Sequence, residues 1–160
     1  MNIVEQIRER VEPRAKATIL VVVTGDTPMN FVESAIELAR LEDARILLVS
    51  LVSAKEEVPE EFYDFAKLEG LEGDPKTWYL TMLGEQTLRP FEKVLRERGV
   101  EFESIVEIGE LSEILPTLTN VYRPTKVVLR AKDMVRPARW PFRRKIERLD
   151  SVNVPVTIVP

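Results

Sequence analysis

The stretch Thr18-Ile-Leu-Val-Val-Val23, followed by Thr24-Gly-Asp-Thr-Pro28, decides the fold of this chain. The first part is a continuous apolar and β-branched run with no polar face. Such a run reads as a strand buried on both sides, the environment of a parallel sheet. Gly25 permits a tight turn after it. Thr27 is expected to cap a helix with Pro28 at its first position, where a missing N–H costs nothing. Phe31, Val32, Ala35, Ile36, Leu38 and Ala39 give that helix a broad apolar face ending near Leu41 and Glu42.

The rest of the chain repeats this alternation. Residues 45–52, rich in Ile, Leu and Val, read as a second buried strand. Residues 53–74 are acidic and carry Pro59, Gly70 and Gly73, so a long surface connection is expected, with a helical turn near 60–68. Asp74-Pro75 is again a cap followed by proline, opening a helix that runs to Gly99 with Leu88, Phe91 and Leu95 on its buried face. Pro90 predicts a kink or break near Gln86. Residues 100–108 alternate as a third strand. Leu111, Ile114, Leu115, Leu118, Val121 and Tyr122 then have helical spacing, with Ser112 as the expected cap and Pro116 in the first turns. A fourth strand over 126–131, a helix near 141–149 and a last strand over 154–159 complete the pattern.

Ahead of all this, Val4, Ile7 and Val11 predict a short amphipathic helix ended by Pro13. The chain therefore divides into an N-terminal amphipathic extension, 1–16, and an α/β domain, 17–160. Strands alternating with helices imply a three-layer α/β/α architecture on a five-stranded, mostly parallel sheet.

Composition narrows the function. The 160 residues fit one domain, and 44% hydrophobic with 31% charged residues is a globular balance. There is no cysteine and no histidine, which removes disulfides, thiolate metal sites and the usual neutral-pH general base. No serine can find a histidine partner, so no catalytic residue and no metal ligand is assigned and the chain reads as a non-enzyme. No apolar run approaches the roughly 20 residues that span a bilayer. Charges interrupt the first sixteen residues, unlike a signal peptide. A cytoplasmic protein without membrane insertion is expected. Few amides and many Glu, Lys and Arg point to a thermophile.

The net charge of −4 is unevenly spread. Residues 130–148 hold eight basic residues against Asp133 and Glu147, a local charge of +6. Residues 53–75 hold eight acids against Lys55 and Lys67.

In four places the sequence resembles the universal stress protein (UspA-like) family. These are Thr18-Ile-Leu-Val-Val-Val-Thr-Gly-Asp26 with its helix, the second strand with its long connection, Arg98-Gly-Val-Glu-Phe-Glu103 leading through Val106 to Gly109-Glu-Leu111, and Val154-Pro-Val-Thr-Ile-Val159. The resemblance implies a sheet of the adenine nucleotide alpha hydrolase-like type, strand order 3-2-1-4-5. It also implies a homodimer formed through the closing strand, with Val154, Val156 and Ile158 at the interface. ATP-binding members resemble one another in a glycine-x-x-glycine, nine-residue, glycine-Ser/Thr motif after the fourth strand. Here no glycine follows Gly109, and Arg130, Asp133 and Arg143 stand at the glycine positions with Arg144 at the hydroxyl position. Glycines let a backbone approach phosphates, so this departure implies a regulatory stress-response domain that does not hold ATP in the family's manner and carries no cofactor.

Two readings of the basic stretch stay open. Arg130, Lys132, Arg143 and Arg144 could hold an adenine nucleotide (ATP or AMP) or another anion, facing Thr24, Gly25, Asp26 and Val52 at the carboxyl ends of the strands. Alternatively these cations are solvated and pair with the acidic 53–75 segment. Trp140 and Phe142 interleave with arginines, but the acidic remainder argues against nucleic acid. A protein partner, or service as the cytosolic regulatory domain of a transporter, completes the expectations.

Overall fold

The computed structural model of the chain describes residues 16–137, 144–146 and 152–160. The expected amphipathic helix before Pro13 lies outside these residues. In chain order the elements are β1 (Thr18–Val23), α1 (Met29–Leu41), β2 (Arg45–Val52), α2 (Glu60–Glu69), α3 (Pro75–Glu97), β3 (Phe102–Ile108), α4 (Leu111–Tyr122) and β4 (Lys126–Arg130). A 3-10 turn (Ala131–Met134), β5 (Val135–Pro137), β6 (Arg144–Ile146) and β7 (Val156–Val159) follow.

Five strands form one sheet in the order β3-β2-β1-β4-β7, and every pairing in it is parallel. This is the expected 3-2-1-4-5 arrangement, with β7 as the fifth strand. β1 is central, and all six of its residues are buried, as the unbroken apolar run requires. Alternate residues of β1 serve opposite layers. Ile19, Val21 and Val23 join α1 and α3, through Phe31, Ile36, Phe91 and Leu95. Leu20 and Val22 join α4, through Leu111, Leu115 and Leu118.

Local chemistry departs from expectation at several points. Thr27 does not cap α1. Its Oγ1 accepts from the Thr24 N–H at 2.8 Å, and Pro28 occupies the cap position. The hydroxyl is drawn back into the turn because Thr24 N–H needs a partner once β1 has ended. Asp74 does cap α3, accepting from Lys76 N–H at 3.2 Å. α3 runs unbroken through Pro90 for 23 residues. Its apolar stripe, Leu80, Leu88, Phe91 and Leu95, is buried along the whole length, which holds the helix together across the missing hydrogen bond. α4 begins one residue before Ser112, with Glu110 at the cap position. The turn near 60–68 is a full ten-residue helix, α2, ended by Gly70 at φ +63°.

The clearest correction concerns the basic stretch. A helix was expected near 141–149, but residues 144–146 form β6, paired antiparallel with β5 in a separate ribbon, Arg136 opposite Lys145. Arg143, Arg144 and Lys145 in the first turns of a helix would oppose the positive end of its dipole. The rest of that predicted helix lies outside the described residues.

Candidate functional site

The sheet changes direction between β1 and β4, and the residues just past those two strands meet there. Arg130 ends β4 and is only 7% exposed. Its Nη2 donates to Asp26 Oδ1 at 2.6 Å, to Asp133 Oδ1 at 2.8 Å and to Thr24 Oγ1 at 3.2 Å. Its Nη1 donates to the Asp26 carbonyl at 3.0 Å, and its Nε to Asp133 Oδ2 at 3.2 Å. Every guanidinium nitrogen thus has a partner. Lys132, exposed on the 3-10 turn, donates to the other Asp26 oxygen at 2.6 Å. Thr24 Oγ1 donates to Asp26 Oδ1 at 2.7 Å.

Two cations and two carboxylates therefore form a closed cluster with no net charge. The Asp26 carboxyl is held well below the usual carboxylate range, chiefly by Lys132, then by Thr24 and Arg130. Arg130 is pushed up by Asp133 first and by Asp26 second, against the opposing effect of its burial.

On the other side of Thr24 and Gly25 lies a cleft of about 700 Å³, within the size range of small-molecule sites. Val52 and Ser53 at the end of β2 and Gly109 after β3 form its floor, and α3 walls it with Leu83, Gln86, Thr87, Pro90 and Phe91. Among the described residues Glu56 is the sole charged one lining it.

The structure brings Thr24, Asp26, Arg130 and Lys132 together and sets Thr24, Gly25 and Val52 along the cleft. Arg143 lies outside the described residues, and Arg144 is described through its backbone in β6 alone. Arg130 and Lys132 pair with Asp26 rather than with the acidic 53–75 segment. Val154 and Val156 pack on the core beneath the sheet, while Ile158 on β7 is 51% exposed. Asp133 was missed as a partner, although an acid three residues after Arg130 was the available signal. The α3 wall was missed too, with Pro90 its only mark in the sequence.

Among the described residues no helix is long and apolar enough to cross a membrane, and no three acidic side chains cluster so as to hold a metal ion. No protein-family model matches the sequence, and no curated protein matches it. Solved structures do match over nearly the whole chain. A universal stress protein from Archaeoglobus fulgidus is 14% identical with a TM-score of 0.60, covering 95% of this chain and 99% of its own. The same organism's protein in complex with dAMP is 16% identical, TM-score 0.56, covering 91% and 99%. An Arabidopsis thaliana universal stress family protein with AMP bound is 17% identical, TM-score 0.53, covering 89% and 90%. Strand order, layer arrangement and end-to-end coverage agree: this chain has the fold of the universal stress proteins.

Proposed function

We propose that this chain is a non-enzymatic, cytoplasmic regulatory domain of the universal stress type. It works by pairing with a second copy and contacting a protein partner, and it does not hold ATP as glycine-loop relatives do. The observation that carries this reading is the closed Arg130 cluster. The cation best placed to receive a phosphate is buried and fully engaged with Asp26, Asp133 and Thr24. A phosphate arriving there must displace two carboxylates before it gains a hydrogen bond. No glycine follows Gly109 to offer bare backbone instead. The exposed Ile158 on edge strand β7 supports pairing, since an edge leaves backbone groups without strand partners.

A second reading is an adenine-nucleotide sensor. Its support is the cleft at the strand ends and the dAMP and AMP bound to two proteins of the same fold. Thermal unfolding with and without ATP and AMP separates the two, because a ligand of the folded state raises Tm. No rise is expected. A rise with ATP that Lys132→Ala or Arg130→Ala removes would replace the first reading with the second.

A further inference from the structure

We propose that the outer edge of β3 is the docking site for an extended segment of a partner protein, which adds to the five-stranded sheet as a further strand. The segment carries lysine or arginine at two positions four residues apart, matching Glu103 and Glu107, with β-branched residues between them. The proposal deepens the reading above by naming the surface for its protein partner, and it rests on that reading in this respect.

The backbone of β3 provides the template. β3 stands at one end of the sheet, and among the described residues it pairs with β2 alone. Ile46 N–H donates to the Glu101 carbonyl at 3.0 Å, and Gly109 N–H donates to the Val52 carbonyl at 2.9 Å. These two bonds set the phase of the parallel ladder, so the odd-numbered residues of β3 turn their backbone groups to β2. Phe102, Ser104, Val106 and Ile108 therefore turn N–H and C=O outward, at the spacing an added strand requires. Beside this edge runs a groove of about 680 Å³, between α3 and Tyr122 of α4.

Side chains give the partner its chemistry. Alternation places Glu103 and Glu107 on the face of β3 that Ile105 turns toward α4, where each meets one side chain of the incoming strand. On the opposite face Leu88 and Val106 floor the groove, with Glu85, Arg89 and Glu92 along its α3 wall. Glu92 is already engaged, accepting from Ser104 Oγ at 2.8 Å and lying 3.9 Å from Arg96. Glu103 and Glu107 also bar a second copy from this edge. Two β3 strands paired antiparallel about Ile105 would set Glu103 against Glu107, and like charges directly opposite are destabilising.

The test uses the intact protein and a capped peptide, Lys-Val-Thr-Val-Lys flanked by threonines, with a version carrying Glu for Lys as control. Affinity is read by fluorescence anisotropy and location by amide hydrogen exchange. The Lys peptide should bind, and more weakly as salt is raised. It should slow exchange at Ser104, Val106 and Ile108 and leave Ile105 and Glu107, already bonded to β2, unchanged. Methylating alternate amides of the peptide should abolish binding. Glu103→Lys together with Glu107→Lys should weaken the Lys peptide at least about fivefold and strengthen the Glu peptide. Ser104→Pro removes an outward N–H and leaves the β2 ladder whole, a place where an edge strand tolerates proline, so this variant should fold and lose the peptide. No binding, equal binding of the two peptides, or protection elsewhere would overturn the proposal. So would slow exchange at the even-numbered amides in the protein alone. If that protection rose with protein concentration, a second copy would hold the edge, and if it did not, another segment of this chain would. A rise in Tm with ATP would instead overturn the functional reading above and leave the peptide result standing, so the two failures are distinct.

Discussion

Gly84 on α3 lies directly against Val106 on β3, so close that a Cβ at position 84 would run into both Val106 methyls, at 2.9 Å from Cγ2. A glycine inside a long helix ordinarily costs about 1 kcal/mol relative to alanine, so a stabilising Gly84→Ala change would be expected on propensity alone. The contact reverses that sign, because valine is stiff about its first side-chain torsion and both of its methyls lie in the path of the added carbon. Gly84→Ala should destabilise the protein by about 1–3 kcal/mol. Adding Val106→Ala should recover part of the loss, measured as non-additivity in urea denaturation. A stabilised single variant would show that α3 can lift from the sheet freely.

Arg130 should be the most sensitive charged position. The Arg130 and Asp133 side chains are 8% and 9% exposed, and removing the cation leaves a buried carboxylate without its partner. Arg130→Ala is expected to cost about 3–5 kcal/mol in chemical denaturation. Arg130→Lys should recover only part, because one ammonium cannot reach Asp26, Asp133 and Thr24 together as a planar fork does.

Acid should weaken the same cluster in a defined direction. A carboxylate whose folded pKa is depressed stabilises the fold above its unfolded pKa of about 3.9, and that contribution is lost as pH falls through the folded value. Asp26 is of this kind. Its side chain is 55% exposed, so solvent screening limits the effect to about 1 kcal/mol. Asp26→Asn should therefore be less stable than the parent near neutral pH. The gap should narrow steadily below about pH 4, as followed by denaturation of both proteins across that range. A gap that widens on acidification would contradict the assignment.

The β7 edge gives a test of self-association. Ile158→Glu places a charge on the half-exposed side chain of the edge strand, on the same face as Val156 but beyond the core that Val154 and Val156 cover. Sedimentation should show dimer affinity falling roughly tenfold or more, about 1.4 kcal/mol, with Tm of the monomer nearly unchanged. An unaltered sedimentation profile would place any dimer contact elsewhere.

Much of the architecture was legible because its cause is local. β1 and β2 announce themselves as unbroken apolar runs, and α3 by its stripe of Leu88, Phe91 and Leu95. The Asp74-Pro75 cap was legible for the same reason, since the bond it makes spans two residues. Thr27 shows where local rules stop. Its hydroxyl had two possible N–H donors in the neighbourhood, and only the closed turn decides between them. The β5–β6 ribbon was not legible, because antiparallel pairing depends on a chain reversal and not on periodicity within either short strand. The site was half legible. Thr24, Asp26, Arg130 and Lys132 could be placed together from the topology of the strand ends. That Arg130 would be saturated, with the cleft on the far side of Thr24, depended on distances between segments more than a hundred residues apart.

The central place of β1 bears on how the protein is made. Thr18 to Val23 is the most apolar strand, yet one of its two flanks is completed only when Lys126 to Val128 arrive, with Thr125 N–H closing onto the Thr18 carbonyl 107 residues away. During translation β1 can pair with β2 early, while its other margin stays sticky until most of the polypeptide has left the ribosome. Truncated nascent chains ending before β4 should therefore aggregate or recruit chaperones, and release of that dependence should coincide with the emergence of residues 126–130.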